Sequence, residues 1–305
     1  MPTSERSLPS LSNEGGTPMT SFRTVSAGGL EVFYREAGKP GAPKLLLLGG
    51  FPSSSHQFRN LMPALADRFH LVSIDYPGFG NTEMPDPDDW DYTFDHLTEI
   101  VDEALLAIDF TGPMGLYMHG HGGPIGNRLI SLHPDWLRWQ VIQNANVYEA
   151  GLTEIWDGMR DGLWANRNTE TEARLEALLE PEAVKAIYLT GHADPTKISP
   201  DNWNLDLHFL ARPDARRVQL DLFYDYRTNT ARYAAWQRRL RREQPRTLIF
   251  WGQGDIFFTP AGGEAYLRDL PDAKLIRLNS GHFATEDCLQ EIVDGINSFY
   301  DATFG

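Results

Sequence analysis

Met118-His119-Gly120-His121-Gly122-Gly123-Pro124 reads as a tight turn between a strand and a helix, and the rest of the chain organises around it. Upstream, residues 115–118 make a short apolar run that suits a buried strand, and downstream residues 125–133 carry helical spacing. Pro124 fits the first helical turn, where its missing N–H has no partner to lose. Gly122 and Gly123 let the helix lie close against a sheet. Such a turn presents one side chain at its apex, and the backbone N–H of the following residue sits at a helix N-terminus. The apex here is Gly120, so the side chain is missing.

Working outward, residues 44–48 form a wholly apolar run after the lysine, ended by Gly49-Gly50, as expected of a parallel strand buried on both faces. Strand patterns fall at 22–25, 30–35, 44–48, 69–74, 115–118, 139–143, 247–251 and 273–278. The first two are joined by the turn Ala27-Gly28-Gly29. Between the others lie helical patterns at 58–65, 94–108, 125–133, 262–270 and 286–300. Alternation of this kind predicts an α/β protein with a doubly wound, mostly parallel sheet of eight strands. Within residues 147–243 strand signals cease and helical spacing takes over at 172–179, 183–189 and 231–242, which predicts a helical insertion. The core is then 21–146 plus 244–305. Residues 1–20, rich in Ser, Pro, Thr and Gly, read as a disordered tail without the apolar segment of a secretory signal.

A net charge of −15 over 305 residues repels phosphate backbones and anionic surfaces, which argues against nucleic-acid partners. The one basic cluster, Arg238, Arg239, Arg241, Arg242 and Arg246, reads as the solvated face of a helix. No run approaches the ~18 apolar residues of a membrane span. The single cysteine, Cys288, can form no intramolecular disulfide and reads as structural, which together with the missing signal segment points to the cytoplasm.

The order of parts resembles the α/β-hydrolase superfamily, and within it the branch of epoxide hydrolases and haloalkane dehalogenases that carries a helical cap. The residues carrying the resemblance are Gly50-Phe51-Pro52-Ser53-Ser54-Ser55, Asp75-Tyr76-Pro77-Gly78-Phe79-Gly80, the turn at 118–124, Asp255 in Trp251-Gly252-Gln253-Gly254-Asp255, and His282 in Ser280-Gly281-His282-Phe283. Nucleophile position, acid and histidine follow one another in the superfamily's chain order. The resemblance implies a base, His282, oriented by Asp255. It also implies an oxyanion hole made by the backbone N–H groups of Phe51 and His121.

The chain departs from that pattern at the decisive place. The cap-bearing branch carries Asp and esterases carry Ser where this chain has Gly120, and no Ser, Thr, Cys, Asp or Glu lies between Tyr117 and Asn127. His121 stands where dehalogenases hold a halide-binding Trp. Gly49 replaces a histidine that the resemblance would place before Gly-Phe-Pro, and with Gly120 it suggests an enlarged pocket. The insertion offers Trp156, Trp164, Tyr188, Trp203, Phe209, Phe223, Tyr224 and Tyr226, an aromatic set that favours a sizeable apolar or polycyclic substrate. Of these, Trp164, Tyr188 and Tyr224 join Gly49 as expected pocket residues. No dinucleotide fingerprint is present, and His119, His121 and His282 lack readable second-sphere support for a metal, so no cofactor is expected.

Three chemistries remain open to a His/Asp pair beside a vacant apex. One is proton abstraction next to a carbonyl, leading to cyclisation, dehydration, isomerisation or carbon–carbon cleavage. Another is hydrolysis of an epoxide or ester by an activated water. The third is cyclisation steered by the shape of an apolar cavity. A catalytically silent binding protein would keep the same parts.

Overall fold

The computed structural model describes residues 20–305. The expected tail at 1–20 therefore lies outside the described residues, apart from Thr20. Strands β1 (Ser21–Ala27) and β2 (Leu30–Ala37) form the opening hairpin, followed by β3 (Lys44–Leu48), helix α1 (Leu61–Leu65), β4 (His70–Ile74), α2 (Phe94–Ala107), β5 (Met114–His119), α3 (Gly122–Leu132) and β6 (Leu137–Gln143). Helices α4 (Glu154–Gly158), α5 (Thr169–Glu176), α6 (Pro181–Leu189), α7 (Asp201–Leu210) and α8 (Ala215–Glu243) then run without a strand. The sheet resumes with β7 (Arg246–Gly252), α9 (Pro260–Asp269), β8 (Lys274–Leu278) and α10 (Leu289–Phe304). The strands make one sheet of eight in the order β1-β2-β4-β3-β5-β6-β7-β8. Only the β1–β2 and β2–β4 pairings are antiparallel.

Apolar runs in the central strands produce this arrangement because successive side chains point to opposite faces. Leu46 and Leu48 of β3 enter one core with Leu116, Met118 and Ile142, while Leu45 and Leu47 enter the other with Tyr117, Val141 and Leu248. Helices cover both faces, so every residue of β3 after Lys44 is buried. Thr93 caps α2 by accepting the His96 N–H at 3.1 Å, and Asp95 places negative charge in its first turn.

The structure corrects several sequence expectations. The helix expected at 125–133 begins three residues earlier, because the glycines continue α3 directly from the turn. The pattern at 231–242 is the end of a single helix of 29 residues, α8. Its earlier part buries Val218, Leu222 and Tyr226 at four-residue spacing, and the polar Gln219, Asp225 and Asn229 on the same buried side interrupt the apolar pattern. The basic cluster is also not uniformly solvated. Arg239 is buried and donates to Asn127 Oδ1 at 2.7 Å, and Arg246 opens β7. Cys288 is buried, and burial pushes its thiol up to about 12, leaving it unreactive.

Candidate active site

Gly120 occupies the turn between β5 and α3 with φ of +51°, a left-handed conformation that a side chain adopts only under strain. A Cβ built on it would lie 3.4 Å from His282 Nε2 and 3.1 Å from Gly50 Cα. The apex therefore faces the His282 imidazole. At Gly122 a Cβ would sit 2.1 Å from the Leu48 carbonyl oxygen, so only glycine lets α3 start this close to β3.

His282 follows β8 and is buried, and its Nδ1–H donates to Asp255 Oδ2 at 2.7 Å. A carboxylate accepts only, so this bond fixes the tautomer and leaves the Nε2 lone pair facing position 120. Asp255 follows β7, and its side chain is inaccessible to solvent. Oδ2 also accepts from Asn144 Nδ2 at 2.8 Å, and Oδ1 accepts from the Phe257 N–H at 2.7 Å. Asn144 stands directly after β6 in a left-handed conformation, and its Oδ1 takes the Gly252 N–H at 2.8 Å. One amide thus ties the ends of β6 and β7 to the acid. Sequence reading missed it, although an Asn at a strand end is a residue type that tolerates this backbone geometry.

A second chain of hydrogen bonds holds His282 from behind. The His282 carbonyl accepts from His119 Nε2 at 3.0 Å and from Gln143 Nε2 at 3.2 Å. His119 Nδ1 accepts from Gln57 Nε2 at 3.2 Å, and Gln57 Oε1 accepts the Gly50 N–H at 3.0 Å. Burial, reinforced by His282, keeps His119 well below the usual histidine range, so it remains neutral with its proton on Nε2. The backbone N–H groups of Phe51 and His121 meet no acceptor among the described residues, and both residues line the cavity beside His282.

That cavity is narrow, with a volume of about 30 Å³. Phe51, Gly120, His121, Phe257, Phe258 and His282 come from loops at strand ends, and Trp156, Met159, Leu178 and Phe223 from the helices between β6 and β7. Apart from His121 and His282 its lining is apolar or glycine, as suits an apolar ligand.

Four expected pocket residues lie elsewhere. A Cβ on Gly49 would abut Gln57 Oε1 at 3.0 Å, so the Gln57 side chain already fills that space and only Gly120 opens the cavity. Trp164 sits behind the wall, donating its indole N–H to the Phe223 carbonyl at 2.8 Å. Tyr188 donates to Asp206 Oδ2 at 2.6 Å and stacks on Phe283 with ring centroids 4.2 Å apart. Tyr224 lies under the Arg227 guanidinium, 3.6 Å from its ring, in a separate depression. Conversely, Met159, Leu178, Phe257 and Phe258 line the cavity without having been singled out. Phe257 and Phe258 could have been found from their place just after Asp255. Among the described residues no group of three His, Cys, Asp or Glu side chains could hold a metal, and both nitrogens of His119 are already engaged.

An imidazole oriented by a buried acid at the carboxyl ends of parallel strands, opposite a glycine at the strand-to-helix elbow, defines a hydrolase-type scaffold. The family described as alpha/beta hydrolase fold matches residues 43–287, and the chain belongs to it as an enzyme of that superfamily. It is 35% identical over 275 residues to the uncharacterized hydrolase YNR064C of Saccharomyces cerevisiae, covering 89% of this chain and 94% of that protein. It is 24% identical to a cis-3-alkyl-4-alkyloxetan-2-one decarboxylase of Xanthomonas campestris, over 94% of this chain and 97% of that one. In fold it is similar to the haloalkane dehalogenase DatA of Agrobacterium tumefaciens, with a TM-score of 0.77 at 20% identity, covering 93% of this chain and 97% of that chain. No helix among the described residues is long and apolar enough to cross a membrane.

Proposed function

We propose that the chain is a cofactor-independent enzyme in which His282, oriented by Asp255, acts as a general base on a small apolar substrate without forming a bond to the protein. The observation that carries this reading is the vacant apex: position 120 offers the base a neighbour's space, 3.4 Å from Nε2, and no attacking atom. Nε2 takes a proton from the substrate, and Asp255 stabilises the imidazolium that results. The N–H groups of Phe51 and His121 receive the oxygen on which negative charge develops. Positioned general bases contribute about 10² to 10⁴ in rate, and an oxyanion donor about 10² to 10³. The outcome is cyclisation, dehydration, isomerisation or lyase-type cleavage. The similarity to a protein named as a decarboxylase supports chemistry beyond hydrolysis on this scaffold. A cytoplasmic role in specialised biosynthesis accompanies this reading.

A second reading has one favourable observation. A water at the apex would stand where an attacking side chain belongs, within reach of Nε2, and would make the enzyme a direct hydrolase of epoxides or esters.

Comparing metabolites of cells with and without the protein identifies the substrate, and turnover in ¹⁸O-water then separates the readings. The leading reading expects product without ¹⁸O and at least a thousandfold loss of turnover in His282→Gln. Uptake of ¹⁸O supports the hydrolase. A covalent adduct in the intact mass, or full activity in His282→Gln, overturns both. Ligand binding with no turnover at all marks a silent binding protein.

A further inference from the structure

His121 lines the cavity with its ring set among Phe51, Phe94 and Tyr226, at centroid distances of 5.9, 5.1 and 5.9 Å. The residue is 7% exposed, and its Nδ1 is buried without any hydrogen-bond partner. No ring nitrogen of the other two site histidines is left idle in this way. His119 bonds through both nitrogens, and His282 uses one on Asp255 and turns the other to the vacant apex. Burial, with His282 nearby, pushes His121 down to about 3, so it stands as a neutral imidazole with one N–H and one lone pair. A buried polar group without a partner is costly, and the surrounding aromatic rings supply none.

We infer that the His121 side chain is a substrate-recognition group, donating or accepting a hydrogen bond with an uncharged oxygen on an otherwise apolar ligand. The fit is to an alcohol, ketone, lactone or epoxide. A carboxylate or phosphate fits poorly, because a neutral imidazole offers no charge and no Lys or Arg lines the cavity. The same residue would then hold the substrate's oxygen by its ring while its backbone N–H stands at the oxyanion hole. This assignment rests on the reading of His282 as the base, since it is the oxygen's placement relative to Nε2 that gives recognition a catalytic consequence.

Two probes of similar shape test it: cyclohexanol, with one hydroxyl, and methylcyclohexane, with none. Both are titrated into the wild-type protein with ¹⁵N-labelled histidine, and into His121→Phe and His282→Gln. The expected result is a shift of the His121 ring nitrogens on adding cyclohexanol and none with methylcyclohexane. His121→Phe should lose about tenfold in cyclohexanol affinity and keep its methylcyclohexane affinity, a change of one neutral hydrogen bond. His282→Gln should keep the preference. Unmoved His121 nitrogens overturn the inference even if His121→Phe fails to fold, as does equal loss of both probes in that variant. Loss of the preference in His282→Gln alone places the oxygen at the base, which overturns the role of His121 and leaves His282 standing. Retained turnover in His282→Gln has the reverse meaning, removing the base and not the recognition.

Discussion

The two walls of the cavity are built by different rules. The wall from strand ends, with Phe51, Gly120, His121 and His282, is fixed by sheet register: β3, β5 and β8 must end where they do because their side chains alternate between two cores. The wall from the helices between β6 and β7, with Trp156, Met159, Leu178 and Phe223, is fixed by how amphipathic helices settle on that sheet. A strand end places a side chain to within a hydrogen bond, and the helical wall places bulk. On the proposed reading of His282 as the base, chemistry belongs to the first wall and shape to the second.

The largest effect is expected where the strand-end wall sets the tautomer of the base. In Asp255→Asn the amide can donate, so His282 no longer needs its proton on Nδ1, and Nε2 loses its free lone pair for part of the population. Turnover should fall about 10³ to 10⁴-fold, roughly 4 to 5 kcal/mol in transition-state stabilisation. Substrate affinity should stay within a few-fold. Steady-state kinetics check both, and a loss expressed in KM alone would show that the acid shapes the pocket and leaves the base unaffected.

Next in size is the close approach that makes the elbow. Gly122→Ala puts a methyl group 2.1 Å from the Leu48 carbonyl oxygen, where backbone must move. Overpacking against backbone costs about 3 kcal/mol. Urea unfolding should show that loss, together with reduced activity as α3 shifts and carries the His121 N–H with it. A tolerated alanine would mean that α3 has latitude and that strand register does not set the site so tightly.

The strand-end loops and the helical stretch between β6 and β7 should also differ in the sign of their pH dependence, judged by one buried group in each. On the strand-end side, burial lowers His121 to about 3, below its unfolded value, so the unfolded chain binds a proton first. Stability from this group is complete above the unfolded histidine value and is lost as pH falls toward 3. On the helical side, Asp206 of α7 is buried and raised to about 7, despite hydrogen bonds from Tyr188 and Ser53 that favour its charged form. Here the folded chain keeps a proton that the unfolded chain has released. Stability is therefore full below the ordinary carboxylate range and declines as pH rises through about 7. Asp206→Asn keeps an acceptor for Tyr188 and removes the titration, so it should stabilise the protein at pH 8 by on the order of 2 kcal/mol and leave pH 4 nearly unchanged. Unfolding free energies at the two pH values measure this. An equal effect at both would mean that Asp206 is ionised throughout.

The same division explains what could be read from the sequence. Short apolar strands, glycines at the turn, Asp255 and His282 all announce themselves locally, because each occupies a strand end whose geometry admits few residue types. Asn144 escaped notice because its function lies in bonding to β7, more than a hundred residues away in the chain. Tyr188 and Trp164 attracted notice as aromatic residues in the helical stretch, yet both are spent on packing and on one hydrogen bond each. Met159 and Leu178 carry no chemical signal at all. Which face of a helix meets a cavity depends on the neighbours it packs against, and spacing along one helix does not state them.

The smallest effect should come from trimming the helical wall. Leu178 is partly exposed and touches the cavity from the turn after α5, so Leu178→Ala removes bulk without opening a sealed core. The stability cost should stay below about 1 kcal/mol, well under that of a fully buried leucine. KM for the natural substrate should rise by a few-fold, bulkier analogues should gain relative to it, and the pH profile of turnover should stay fixed. That profile is the sharp part of the comparison, because it reports His282 and Asp255 and nothing about the volume above them. If removing a methyl-bearing side chain from the helical wall moves the profile, the base is tuned by the shape of the cavity, and the separation of chemistry from shape between the two walls fails.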